Sequence, residues 1–322
     1  MSGVATVAYE GRSHEVREGQ TVLDALLAAG ESIPHACRAG ACGACILRAT
    51  SGEIPAEAQV GLRDAWRARG CFHACQCRPR GPLSVEPLGD GMRVPARIAL
   101  REALSASVAR VLVELAAPFE ATAGQYVTLD RGGVARSFSI AALHGARRIE
   151  LHVRRIPGGA MSPYLCDTAL PGDELVVQGP LGSCVYVPGR PEQPLLLAGT
   201  GTGLAPLWGV LHDALAAGHS GPIHVFHGGL DPTGLYLVDQ LAALAASRPN
   251  VRYLPSVLKG ALPGMEEGAI DAVVARHFPK TNGVRAFVCG APDVVQALKK
   301  KIFLAGAALR DIAADAFVPA AS

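Results

Sequence analysis

The stretch His35-Ala36-Cys37-Arg38-Ala39-Gly40-Ala41-Cys42-Gly43-Ala44-Cys45 sets three thiols in a C-x4-C-x2-C spacing, and a fourth, Cys75, follows after a gap of 29 residues. Gly40, Ala41, Gly43 and Ala44 are all small, so the loop can wrap closely around whatever the thiols hold. Its glycines also admit backbone angles that other residues avoid. A disulfide framework suits a small secreted domain. This chain has 322 residues, and its start, Met1-Ser2-Gly3-Val4-Ala5-Thr6, lacks the basic and apolar regions of a secretory signal. Zinc ribbons prefer paired C-x2-C knuckles, and only one such pair, Cys42 with Cys45, occurs.

The spacing resembles the ligand pattern of a plant-type [2Fe–2S] ferredoxin. That resemblance implies Cys37, Cys42, Cys45 and Cys75 as ligands, since the family uses the 29-residue gap that ends at Cys75. It also implies that the chain handles electrons one at a time. Cys71 and Cys77 flank the fourth position and read as buried small hydrophobes.

Composition narrows the setting. With 49% hydrophobic and 18% charged residues the chain suits two or three packed domains. No apolar run approaches the ~20 residues that span a bilayer. A net charge of +2 gives no reason to expect nucleic acid as a partner. Nine cysteines without an export signal favour a reducing cytoplasm. Residues 1–88 hold nine basic and nine acidic side chains. That neutrality fits a ferredoxin tethered to its electron donor better than one that docks freely by charge.

Three modules are expected. Residues 1–88 read as an α+β, β-grasp ferredoxin. Val4–Tyr9 and His14–Arg17 form a hairpin about Gly11, and Thr21 caps a helix running to Ala29, with Asp24 at its third position and Gly30 as its stop. Leu83–Val85 is the last strand, and Gly89-Asp90-Gly91 is the linker. Residues 93–188 read as an antiparallel β-barrel, from the alternation in Ala109–Leu115 and Tyr126–Leu129 and the frequent turn residues. Residues 189–322 read as α/β with a parallel sheet. The buried strand Leu195–Ala198, a helix through Leu207, Val210, Leu211 and Leu215, the strand Ile223–Phe226, a helix near Leu237–Ala245 and the strand Ala286–Val288 alternate in that order.

The middle module carries Arg136-Ser137-Phe138-Ser139, which closely resembles the R-x-[YF]-[ST] motif of ferredoxin–NAD(P) reductase-type flavin domains. The arginine would neutralise a cofactor diphosphate, the ring would pack on the flavin, and the Ser139 hydroxyl would lie near flavin N5. The family usually has tyrosine at Phe138, so a phenol hydrogen bond is given up. The stretch His152-Val153-Arg154 leads through Gly158, Gly159, Ala160 and Met161 to Ser162. It matches the family's basic strand end followed by G-x-x-S at a helix start, where backbone N–H groups grip the diphosphate. Gly179-Pro180-Leu181-Gly182 matches a loop placed between flavin and nucleotide domains.

In the last module Gly199-Thr200-Gly201-Thr202-Gly203-Leu204-Ala205-Pro206 follows a buried strand and opens a helix, the context a dinucleotide phosphate turn requires. It resembles the family's GGTGxxP segment, with Thr200 replacing a glycine. Cys289-Gly290-Ala291-Pro292 matches the CGxP motif, which implies Cys289 beside nicotinamide C4, although a lone buried thiol is also an ordinary core residue. Asp315-Ala316-Phe317 matches an acidic residue, a spacer and an aromatic lid over the flavin. A frayed tail is the competing reading. After the strand Ile223–Phe226, Asp231 stands where an acid favours the free ribose hydroxyl of NADH over the phosphate of NADPH.

In this order the modules resemble the single-chain reductase components of bacterial multicomponent oxygenases, such as those of ring-hydroxylating dioxygenases, phenol hydroxylase and methane monooxygenase. The resemblance implies FAD rather than FMN, NADH with NADPH possible, and a relay from hydride through flavin to the cluster. A terminal oxygenase component or its ferredoxin, in a system that hydroxylates an aromatic ring, would be the acceptor, docking near Arg38–Ala44. A reductase feeding a non-oxygenase such as a deoxysugar dehydrase shares all these modules. A plain iron–sulfur carrier shares only the first.

Overall fold

The computed structural model describes residues 5–62, 64–88 and 93–318. The expected linker Gly89-Asp90-Gly91 lies outside them. Within the first unit the strands β1 (Ala5–Tyr9) and β2 (Arg12–Val16) form the expected hairpin, followed by helix α1 (Val22–Ala28). Strand β3 (Ile46–Ser51), helix α2 (Asp64–Ala68), and strands β4 (Cys71–His73) and β5 (Leu83–Pro87) complete it. Thr21 caps α1 through a reciprocal capping box with Asp24, and Gly30 takes φ +83° just past its end. The sheet order is β2-β1-β5-β3-β4, so β5, last in the chain, sits in the middle and runs parallel to β1. One face packs on α1 around Val7, Leu23, Leu26, Phe72 and Leu83.

The second unit is a closed antiparallel barrel in the order β10-β7-β6-β11-β8-β9. Its strands are β6 (Arg93–Ala103), β7 (Val108–Leu115), β8 (Tyr126–Arg131), β9 (Val134–Leu143), β10 (Arg148–Arg154) and β11 (Glu174–Leu181). Closure removes every sheet edge. The segment 179–181, expected as a connecting loop, is instead the end of β11, with only Gly182 beyond it.

The third unit is a six-stranded, wholly parallel sheet in the order β15-β14-β13-β12-β16-β17. Its elements are β12 (Leu195–Thr200), α3 (Leu204–Ala216), β13 (Ile223–Gly229), α4 (Val238–Ser247), β14 (Val251–Val257), β15 (Glu266–Glu267), α5 (Ile270–His277), β16 (Arg285–Gly290), α6 (Pro292–Leu304) and β17 (Ile312–Ala316). Helices cover both faces, which is why Leu195-Leu196-Leu197-Ala198 reads as an unbroken apolar run. The C-terminal segment is no frayed tail: β17 pairs in register with β16, setting Asp315 opposite Cys289. No helix among the described residues is long and apolar enough to cross a membrane.

Candidate electron-transfer site

The cluster loop carries its thiols in two pairs. Cys42 hydrogen-bonds Cys37 and Cys45 hydrogen-bonds Cys75; within each pair the donor thiol draws its partner's pKa down, so that Cys37 and Cys75 fall below an ordinary thiol. The backbone N–H groups of Ala39 and Cys42 both donate to Cys37 Sγ at 3.3 Å. Among the described residues no three metal-ligating side chains converge on a single ion position. Two pairs, each suited to one iron, fit a binuclear cluster better than one zinc ion, and N–H groups aimed at sulfur are what its charge requires. Cys71 and Cys77 are fully buried, Cys71 beside Trp66 and Leu88 and Cys77 in the core of the first unit, as expected.

The face of the loop from Ala41 to Gly43 is turned to the barrel. Tyr126 Oη donates to the Ala41 carbonyl (2.7 Å), Thr128 Oγ1 and Ser137 Oγ donate to the Cys42 carbonyl (2.9 and 2.6 Å), and Gln178 Nε2 donates to the Gly43 carbonyl (2.6 Å). Gly43 takes φ +71°, and a Cβ there would collide with Leu181 Cδ1. Only glycine allows this approach. The expected partner surface at Arg38–Ala44 is corrected accordingly. Ala41 to Gly43 are taken up by the barrel, while Arg38 and Ala39 are exposed and Arg38 pairs with Asp24 at 2.8 Å.

Behind that contact lies a cavity of about 500 Å³, within the range of cofactor sites. Arg136, Ser137, Phe138 and Ser139 from β9 line it, with Arg154, Gly158, Gly159, Ala160, Met161, Ser162, Thr202, Asp315 and Phe317. Ala36, Ala41 and Cys42 of the cluster loop line it too, as does Tyr126. Ser162 Oγ accepts from the Ile156 N–H at 3.1 Å, and a Cβ on Gly159 would come within 2.9 Å of that oxygen. As expected, helical backbone begins at Ser162, and it continues as a short π-helical turn over Tyr164–Thr168. Apolar walls, two arginines and a glycine-lined rim fit a flavin with its diphosphate.

Asp315 stands in the cavity wall. Burial pushes its carboxyl up to about 6, against the pull of a hydrogen bond from Ser139. The two expected catalytic residues from distant segments are therefore joined. Phe317 lines the same wall.

Other expected positions fall elsewhere. Val153 points into the barrel core. His152, by contrast, does line the cavity as expected; its ring nitrogens are engaged by Glu150 and Tyr236, so it meets a cofactor as part of the wall rather than as a hydrogen-bond partner. Thr200, Gly201, Gly203 and Gly290 form a tight turn behind Thr202, where a Cβ on Gly203 would strike the Cys289 carbonyl. Cys289 itself is fully buried, its Sγ 3.4 Å from Cys184 Sγ, and lies outside the cavity lining. Asp231 caps the following turn, accepting from Thr233 N–H at 3.0 Å and from its hydroxyl at 2.6 Å. Reading the sequence alone misses Tyr126, Ala36, Ala41 and the cavity role of Cys42, because contacts between modules leave no local pattern.

Comparison with known proteins follows the same division. Residues 5–80 match the 2Fe-2S iron-sulfur cluster binding domain family, residues 95–186 the oxidoreductase FAD-binding domain, and residues 197–300 the oxidoreductase NAD-binding domain. The chain is 34% identical to the ferredoxin–NAD(P)+ reductase component of the naphthalene 1,2-dioxygenase/salicylate 5-hydroxylase systems of a Ralstonia species, over 94% of each chain. It is also 34% identical to the reductase subunit of an aromatic O-demethylase from an Amycolatopsis species, over 98% of each. The crystal structure of an Amycolatopsis cytochrome P450 reductase, 31% identical, superposes with a TM-score of 0.71 over 98% of this chain and 99% of that one. The ferredoxin reductase of carbazole 1,9a-dioxygenase, 21% identical, shares the fold with a TM-score of 0.68 over 98% of each chain. A two-iron thiol loop, a flavin-sized cavity and a parallel nucleotide sheet thus occur in one chain, which belongs to the ferredoxin–NAD(P)+ reductase components of oxygenase systems: an NAD(P)H-driven oxidoreductase with [2Fe–2S], FAD and NAD sites.

Proposed function

We propose that the chain takes electrons from NADH and delivers them singly to a terminal oxygenase component, or to that component's ferredoxin, in the oxidation of an aromatic compound. The observation that carries this reading is the position of Cys42, which belongs both to the thiol set and to the wall of the flavin-sized cavity. The names of the relatives, among them a dioxygenase and an O-demethylase reductase, support an aromatic substrate at the far end. Cytoplasmic residence fits the nine cysteines and the absence of a disulfide among the described residues.

Bound flavin would accept electrons as a pair and release them singly, and the bound cluster would carry one at a time. The chain's part is to bind and orient. Arg136 and Arg154 offset the charge of the FAD diphosphate, and Gly158 to Ser162 close around it. Phe138 packs against the ring system, and Phe317 covers the face that nicotinamide must enter. Asp315 and Ser139 hold a proton at that face, shared between carboxyl and hydroxyl. The turn Thr200 to Gly203 and Gly290 seats the nucleotide phosphates. Cys289 shapes the nicotinamide end from behind the wall, and Asp231 selects the ribose hydroxyl. Cys37, Cys42, Cys45 and Cys75 hold the cluster. The module limits that go with this reading are 1–88, 93–188 and 189–322.

Anaerobic titration of the purified protein with NADH and, separately, NADPH, followed by visible absorption, tests it. NADH should bleach flavin and cluster bands in turn, and NADPH should do so at much higher concentration. Protein that shows no cluster band, or that NADH leaves oxidised, would overturn the reading.

A further inference from the structure

Alternate residues of a strand share a face. On β10, Leu151 and Val153 fill the barrel core, while Glu150, His152 and Arg154 face the nucleotide unit. The Glu150 carboxylate is buried. His152 Nε2 contacts its Oε1 at 3.0 Å and His144 Nε2 its Oε2 at 2.8 Å, with Arg110 Nε at 3.2 Å. Burial alone would raise this carboxyl, but hydrogen bonds from the two histidines and the charge of Arg110 hold it down at about 2. An ionised carboxylate only accepts, so His152 Nε2 carries the proton. Its Nδ1 is then free to accept from the Tyr236 hydroxyl at 3.2 Å, across the boundary between barrel and nucleotide sheet.

Tyr236 continues the line. It stands edge-on to His152 at 5.4 Å and edge-on to His227 at 5.6 Å, both at 88°. His227, on β13, is fully buried, and its Nδ1 lies 3.4 Å from Tyr253 Oη. Its Nε2 has no partner in full hydrogen-bond geometry. The Gly201 carbonyl lies near enough to favour the protonated ring, although burial pushes the ring down to about 4. Gly201 opens the turn between β12 and α3. Arg154 Nη1 flanks the same residue, 3.6 Å from where a Cβ on it would lie.

We infer that His152, Tyr236 and His227 form a positioning row that holds the Gly201 turn against the flavin barrel, with His227 Nε2 as the donor that the Gly201 carbonyl meets when a dinucleotide seats the turn. The three residues act through that turn and not on the nucleotide itself. The inference rests on the reading of residues 199–206 as the nucleotide phosphate turn.

The test is isothermal titration of NAD+ into the FAD- and cluster-loaded protein. Tyr236→Phe and His227→Phe should each raise the NAD+ Kd about tenfold, or about 1.4 kcal/mol, with flavin content and thermal midpoint as in the parent. His152→Gln can donate to Glu150 and accept from Tyr236, so it should keep the parent affinity, whereas His152→Leu should match Tyr236→Phe. A Kd within about twofold of the parent in the folded phenylalanine variants would overturn the inference. So would a Kd that rises only in step with lost flavin and a lowered midpoint, since that is a structural role alone. If neither phenylalanine variant folds, the His152→Gln and His152→Leu pair decides by the same criterion. Parent protein that fails to bind NAD+ would remove the nucleotide reading itself, and this inference with it.

Discussion

Ser137 Oγ donates to the carbonyl of Cys42 at 2.6 Å, tying a residue of the flavin motif directly to a residue of the cluster loop. Thr128 Oγ1 donates to the same carbonyl and lies 3.1 Å from Ser137 Oγ. With Tyr126 and Gln178 on the neighbouring carbonyls, three consecutive backbone acceptors of the loop are satisfied by barrel side chains. A buried carbonyl left unpaired is costly, so these contacts fix the register of one unit on the other. The covalent path from cavity wall to thiol is thereby kept short and constant.

Thr128 lies outside the cavity lining, which makes Thr128→Val a clean probe of that tie. Loss of one donor costs about 1 kcal/mol and should loosen the docked arrangement about fivefold. Stopped-flow absorption should show NADH reducing the flavin at the parent rate while cluster reduction slows severalfold. Equal slowing of both phases would mean that the contact shapes the flavin site rather than the passage between centres.

The choice of cluster ligands is tested by three serine variants. Cys75→Ser removes a thiol that pairs with Cys45 beside the loop, so iron and the visible cluster bands should be lost while flavin is retained. Cys71 and Cys77 are packed in apolar cores, so Cys71→Ser and Cys77→Ser should keep the cluster; Cys77→Ser should lose stability by roughly 1–3 kcal/mol as a hydroxyl enters the apolar core. Chemical denaturation and iron analysis of the same samples read both effects. Retention of the cluster in Cys75→Ser, with its loss in either of the others, would reassign the fourth ligand.

Much of this was legible from residue order, for physical reasons that differ from place to place. Thr21, Asp24 and Gly30 announce α1 because capping is local chemistry. Leu195 to Ala198 announce a buried strand because both faces of a parallel sheet are covered. The thiol spacing announces the cluster because few structures need that geometry. Strands β3 and β4 carry no such mark: Ile46–Ser51 owes its conformation to β5, far along the chain. Strand β17 is short and is held by register with β16. The carbonyl contacts of Ala41 to Gly43 could not be read at all, since a carbonyl has no residue type and its donors come from three separate strands. At His152 the alternation was visible, but a local motif match assigned Val153 and both neighbours to one ligand, although a strand points them to opposite sides.

Asp315 gives the molecule a pH dependence of stated sign. Its folded-state pKa is raised to about 6, first by burial, from the ordinary 3.8. Between those values the folded protein holds a proton that the unfolded chain has lost, so stability falls as pH rises through that window and levels off above it. Asp315→Asn removes the titrating group. Thermal midpoints of the flavin-free protein between pH 5 and about 7 should therefore fall less with pH in the variant than in the parent. Parallel curves would mean that Asp315 titrates normally and that its place beside Ser139 carries no protonation role.

Arg38 marks the side of the cluster loop that the barrel leaves open. It takes φ +52°, unusual for a side chain of this size, and pairs with Asp24 at 2.8 Å. The Gln76 amide donates to its carbonyl at 3.0 Å, close to Cys75 Sγ. If an electron arrives through the Cys42 face, it leaves by another, and the exposed Arg38 side is the exit this prediction tests. Arg38→Glu reverses a charge at the rim while leaving flavin and nucleotide sites untouched. NADH-driven reduction of a dye that accepts from flavin should be unchanged. Reduction of the oxygenase component or its ferredoxin should slow, mostly in association rate and less so at high salt, as screening weakens rim charges. If transfer to the partner keeps the parent rate at low salt, the exit lies elsewhere on the ferredoxin surface, and the Arg38 side is merely solvent-facing.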